Sequence, residues 1–217
     1  MESLNRRELF GIAALGASVG SFTAIETNAG AEPLQIDPQF EAWLSKIKGS
    51  HRQVFDAPKA NDGMPFAWSL VFMMMNEKIG VKNGDTQSVL VLRHDAIPLA
   101  MQSPLWAKYK LGERFEIKDH VTKEAATRNP FYKPKQGELP LPGMSVEDLL
   151  KAGVLIGVCD LAITFNTMRM AKDLGVDAGK LKQEFVDAII PGIVRVPAGI
   201  LAINRAQERK CTYCFAG

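Results

Sequence analysis

The run SVLVL at 88–92 constrains the fold most, because Val89, Leu90, Val91 and Leu92 follow one another without a polar interruption. A strand with one wet face alternates apolar and polar residues. A strand without that alternation is buried on both faces, as in a parallel sheet covered by helices. Four more segments read as strands: RQVFDA (52–57), VLIGVCD (154–160), IVRVPAG (193–199) and CTYCFAG (211–217). The second strand is expected to run through RHDA to residue 96.

Between these strands the apolar spacing turns helical. Phe40, Trp43, Leu44 and Ile47 mark a short helix after an extended lead within residues 32–50. MPFAWSLVFMMMNEKIG (64–80) carries Ala67, Leu70, Val71, Met74 and Ile79 on one stripe and Gly80 as its stop. Phe66, Phe72 and Met73 lie off that stripe, so this helix is apolar almost all round. Such a helix is either sandwiched in a core or part of a subunit interface. AIPLAMQSPLWAKYK (96–110) predicts a helix after Pro98. Residues 112–144, with Pro130, Pro134, Pro140 and Pro142, read mostly as loop. Ser145 with Asp148 three residues on caps a helix ending at Gly153, and Asp177 caps another that Pro191 and Gly192 halt. LAITFNTMRMAKDLG (161–175) and ILAINRAQERK (200–210) complete the set.

Strands alternating with helices predict a three-layer α/β/α domain with a five-stranded, mostly parallel sheet. It is expected over residues 51–217, with a loop insertion at about 103–144. A chain of 217 residues, 47% hydrophobic and 23% charged, has enough apolar content for one full core.

The first thirty-one residues read as an export signal rather than as part of the fold. Arg6 and Arg7 precede GIAALGASVGSFTAI, a mildly apolar stretch free of charge, and Ala29-Gly30-Ala31 is a small-x-small cleavage pattern. Paired arginines before a weak apolar region resemble the twin-arginine signal, which implies a periplasmic location for the chain from Glu32 onward. The stretch is too short and too poor in Leu and Phe for a membrane span, so no stable membrane anchor is expected once it is removed. Removing it takes away Arg6, Arg7, Glu2, Glu8 and Glu26, which leaves the formal charge of +2 small and positive. No dense basic run with interleaved aromatics accompanies it, so a nucleic-acid partner is not expected.

Ligands of parallel α/β sheets sit beyond the carboxyl ends of the strands, near a switch in strand order. That places Asp56, His94, Asp95, Cys159, Asp160 and residues 195–199 in view. Cys159 stands where a strand enters a helix, whose positive end favours a negatively charged sulfur. Asp160 beside it opposes that. Buried cysteine is also a common small hydrophobe, so a packing role competes with a chemical one. His94 is either hydrogen-bonded scaffolding or an acid, base or anion-binding group. His51 and His120 read as surface residues.

Cys211 and Cys214 form a C-x-x-C pair, but strand residues three apart point to opposite faces. The pair is therefore not expected to close a disulfide or share a metal. The odd count of 3 cysteines leaves at least one outside any internal disulfide. No Walker loop or G-x-G-x-x-G follows a strand, no His/Glu pair has zinc spacing, and no serine sits in an elbow motif. No cofactor or metal site is expected.

In order along the chain, RQVFDA, VLVLRHDAIPLAM, SVEDLLKAGVLIGVCDLAI and PAGILAINRAQERKCTYCFAG resemble the DsrE/DsrF-like family, from about Arg52 to Gly217. The resemblance implies an α/β domain in which a cysteine after the third strand carries sulfur as a persulfide and passes it on. Cys159 stands at that position, with His94 assisting and residues 103–144 as a lid. The resemblance also implies a trimer or hexamer, and a donor and acceptor of sulfur that the residues do not name. The alternative is a non-catalytic module that binds a small ligand or a protein through the same crevice. A dithiol oxidoreductase built on Cys211 and Cys214 ranks below both.

Overall fold

The computed structural model describes residues 37–217. The signal reading of residues 1–31, with Arg6, Arg7 and cleavage after Ala31, lies outside the described residues, as does the start of the lead segment.

Five strands, β1 (His51–Ala57), β2 (Thr86–Leu92), β3 (Leu155–Cys159), β4 (Val194–Val196) and β5 (Thr212–Phe215), form one sheet in the order β4-β3-β2-β1-β5. Every neighbouring pair is parallel. Successive residues of β2 serve opposite layers, since Val89 and Val91 join one apolar cluster while Leu90 and Leu92 join the other. All four are fully buried, as an uninterrupted apolar run requires.

Helix α1 (Pro38–Ser45) and helix α8 (Gly199–Glu208) cover one face of the sheet. The other face carries α2 (Met64–Lys78), α5 (Val146–Lys151), α6 (Asp160–Leu174) and α7 (Ala178–Asp187). Two short helices, α3 (Ser103–Tyr109) and α4 (Leu111–Arg114), pack on that second face. Handedness explains the division. The chain steps from β1 to β4 in one direction and then returns past β1 to place β5, so a right-handed crossover puts α8 on the opposite face. The adjacent strands β3 and β4 therefore send their helices to opposite faces, and the carboxyl ends of such a strand pair are where ligands of parallel α/β sheets sit.

One glycine is required by close approach in this sheet. A Cβ on Gly157 of β3 would lie 2.9 Å from Val196 Cγ1 and 3.1 Å from the Trp43 ring. Its bare Cα lets the indole of α1 pack close against the strand.

Several expected boundaries move. The second strand ends at Leu92 instead of residue 96, because His94 takes a left-handed φ of 50° and opens a 3-10 helix over His94–Ala100. The segment read as a helix after Pro98 is that 3-10 turn followed by α3, with Pro104 in its first turn. The helix capped by Asp177 stops at Asp187, and Ile189 instead bridges to Met101.

On α2 the predicted stripe matches the buried face only at Ala67, with Leu70 partly buried against the core. Phe66, Ala67 and Ser69 are buried, with the Ser69 hydroxyl donating to Pro65 O, whereas Val71, Met74 and Ile79 are exposed. A helix apolar all round has no periodicity to select its inner face.

Residues 112–144 are mostly loop, as read, and the loop is held to the core. Phe131 is fully buried against Phe66, and Asn129 Nδ2 donates to Leu99 O at 2.9 Å and Met101 O at 2.8 Å. Among the described residues no helix is long and apolar enough to cross a membrane.

Candidate functional site

Cys159 is both the last residue of β3 and the N-cap of α6. Its backbone is extended, so the side chain folds over the first turn and Sγ accepts the N–H of Ala162 at 3.2 Å. Cys159 pairs in register with Val196 of β4. Two residues beyond that strand the chain turns into α8, whose first N–H, from Gly199, donates to the same sulfur at 3.1 Å. One sulfur thus closes the amino ends of two helices that lie on opposite faces of the sheet. A negatively charged sulfur makes these contacts best, since both donors are backbone N–H groups at positive helix ends. Cys159 is only 5% exposed.

Asp160 opens α6, and its carboxylate is held at both oxygens. Oδ2 accepts from Lys182 Nζ at 3.0 Å and Oδ1 from Arg195 Nη1 at 3.2 Å. The charge expected to oppose a negative sulfur is therefore matched by two cations.

Beside the crevice, Arg93 follows β2 and Asp56 lies near the end of β1. Arg93 Nε donates to Asp56 Oδ1 at 2.6 Å and Nη2 to Oδ2 at 3.0 Å, a two-point pair. The Tyr213 hydroxyl, brought in by β5, donates to Asp56 Oδ2 at 2.9 Å. Asp56 is 4% exposed and is satisfied by three donors. Its hydrogen bonds to Arg93 push the guanidinium further above its ordinary value. Burial, then the bond to the Asp56 carboxylate, raises the Tyr213 hydroxyl.

The His94 side chain is 64% exposed, with Nδ1 3.4 Å from Asp95 Oδ1. It is a rim group instead of the buried end of a strand. Its carbonyl accepts Asn166 Nδ2 from α6 at 3.4 Å, and Asn166 Oδ1 accepts from Arg169 at 2.7 Å. His120, expected at the surface, stacks edge-on against Phe131 with Nε2 buried and unpaired among the described residues.

Cys211 and Cys214 face opposite layers, Cys211 with α1 and α8 and Cys214 against the other cluster. All three cysteines are free thiols. Burial pushes the Cys211 thiol up to about 11 and raises Cys214 as well, so neither is poised as a nucleophile at neutral pH. Among the described residues no three His, Cys, Asp or Glu gather as a metal site.

A cavity of about 250 Å³ lies elsewhere, between Leu44, Ile47, Arg52, Arg209 and Lys210 at the amino edge of the sheet. There Arg52 already donates to the carbonyls of Gly49 and Arg209. Cys159 is not among the residues that line this cavity.

The sequence did not single out Arg93, Tyr213 or Lys182. A charged residue directly after a buried strand was a usable signal for Arg93. Tyr213 reaches Asp56 only because β5 returns to pair with β1, which no local pattern announces. No protein-family model and no curated protein matches the chain.

Proposed function

We propose that this chain is a DsrE/DsrF-like sulfur carrier in which Cys159 accepts sulfur, holds it as a persulfide and passes it on. The observation that carries the reading is the convergence of the Ala162 and Gly199 N–H groups on one sulfur from two helices. A persulfide is an anion at neutral pH, and it too is favoured by fixed donors at helix amino ends. Leu161 and Phe165 on α6 and Ile200 on α8 expose large apolar surface next to those helix starts. Exposed apolar side chains around a buried nucleophile suit a protein acceptor that covers the crevice during transfer. His94 stands on the rim as the group that assists proton movement. Asp160 serves by holding Lys182 and Arg195.

The reading includes export by the twin-arginine route to the periplasm, on the strength of Arg6 and Arg7. It also includes self-association into a trimer or hexamer through α2. Trp68, Val71, Met75 and Ile79 recur there at helical spacing and are all exposed.

The test uses the chain with Cys211 and Cys214 changed to Ser. After brief polysulfide treatment, intact-mass measurement should find one added sulfur, and peptide mapping should locate it on Cys159. Cys159→Ser should remove it. A thiol that takes up no sulfur and is alkylated only after unfolding would favour the binding-module reading, in which Cys159 only lines the crevice.

A further inference from the structure

The site also carries a charge that selects what reaches the sulfur, and this inference rests on Cys159 being the nucleophile. We propose that Arg93 determines donor specificity and that the donor is a small sulfane-sulfur anion, of which thiosulfate is the simplest. Arg93 commits Nε and Nη2 to Asp56, and Tyr213 braces that carboxylate from the other side. Among the described residues no acceptor is bonded to Arg93 Nη1, and the side chain is 25% exposed. The guanidinium is thus fixed in place with one edge free, the arrangement that binds oxyanions well.

Its position relative to the sulfur follows from Gly199. A Cβ there would lie 2.7 Å from Arg93 Cβ and 3.0 Å from Arg93 Cδ, while the Gly199 N–H lies 3.1 Å from Cys159 Sγ. The arginine stem and the sulfur therefore meet the same backbone residue. The other charges around the crevice favour an anion. Two helix amino ends point at it, Asp160 is matched by Lys182 and Arg195, and Arg169 is bonded to the neutral Asn166. Asp95 is the remaining carboxylate beside His94. The low exposure of Cys159 suits a donor of few atoms.

The step balances without another reagent. The Cys159 thiolate attacks the outer sulfur of thiosulfate, and an Sγ–S bond forms. The S–S bond of thiosulfate breaks, and sulfite leaves with its electron pair. The total charge of three negative units is unchanged. Arg93 holds the sulfonate oxygens before the step and the departing sulfite after it.

The test compares iodoacetate with iodoacetamide, two reagents of similar size that differ in charge, on the chain with Cys211 and Cys214 changed to Ser. Arg93→Gln should slow iodoacetate at Cys159 by about tenfold and raise half-saturation by thiosulfate by about tenfold, the loss of one charged hydrogen bond. Iodoacetamide should change by less than about twofold, and Arg93→Lys should recover part of the iodoacetate rate. Sulfate should protect the unsubstituted Arg93 protein from iodoacetate while leaving iodoacetamide unaffected, a readout that needs no folding of a variant. If iodoacetamide labels Cys159 but Arg93→Gln and sulfate change nothing, Arg93 is not the anchor and the carrier reading stands. If neither reagent labels the folded protein, the nucleophile and the anchor fall together.

Discussion

The N–H of Gly199 donates to Cys159 Sγ across 40 residues of sequence, joining the starts of α8 and α6 at 3.1 Å. This contact exists because β3 and β4 are neighbours whose helices leave on opposite faces. It makes the sulfur environment a property of the topology and not of a local motif.

Gly199→Ala tests that relationship. The new Cβ would press on Arg93 Cβ at 2.7 Å, a distance real side chains do not tolerate, so the start of α8 or the Arg93 stem must shift. We expect a loss of about 1–3 kcal/mol in stability from overpacking, measured by urea unfolding. Sulfur loading of Cys159 should fall by about tenfold, as expected when a donor to a charged group moves out of reach. Loading at the unsubstituted rate would show that the Gly199 N–H does no work at the sulfur.

Asp56 holds the next layer together. Asp56→Asn removes the charge facing Arg93 in a nearly buried position, and should cost about 2–3 kcal/mol. Tyr213→Phe removes one of three donors to the same carboxylate and should cost about 1 kcal/mol. Because the two residues share that carboxylate, the double variant should cost less than the sum of the singles. Additive losses in urea unfolding would mean that Tyr213 and Asp56 do not act through their hydrogen bond.

Some of this was legible in the chain and some was not, for physical reasons. The core strand of Val89 to Leu92 was readable because burial on both faces forbids polar residues. Ser145 and Asp177 announced their helices through side chains that bond backbone N–H groups within three residues. Cys159 was legible as a strand-to-helix residue, but its second donor was not. Gly199 reaches it only after β4 has paired with β3. The same holds for Tyr213 and Asp56. The buried side of α2 was illegible because nearly every position there is apolar, and Ser69 satisfies its own hydroxyl within the helix. The left-handed turn at His94 was hidden because histidine, though enriched at positive φ, takes it in only a small share of cases.

The exposed face of α2 gives a prediction about assembly. Sedimentation of the chain lacking its first thirty-one residues should give a multiple of the monomer mass. Val71→Lys with Met75→Lys places two charges among Trp68, Met74 and Ile79, and should shift the protein to monomer without altering its circular dichroism. Self-association that survives both lysines would remove α2 from the interface.

Cys211 gives the protein a stability limit at high pH. Burial among α1 and α8 raises its thiol from 9.0 to about 11, so the folded state keeps the proton where the unfolded chain loses it. For a group raised on folding, the stabilisation is fully present below the unfolded value and declines as pH climbs through the folded one. Between pH 9 and pH 11 the thiol should therefore withdraw about 1–2 kcal/mol of stability, up to the limit set by two pH units. Cys211→Ala should flatten that part of the curve, even though the smaller side chain lowers stability at pH 7. Urea midpoints at pH 8 and pH 10.5, taken for both proteins, separate the two effects. If both proteins lose equal stability across that window, other groups set the alkaline limit and the Cys211 thiol is not what the fold holds neutral.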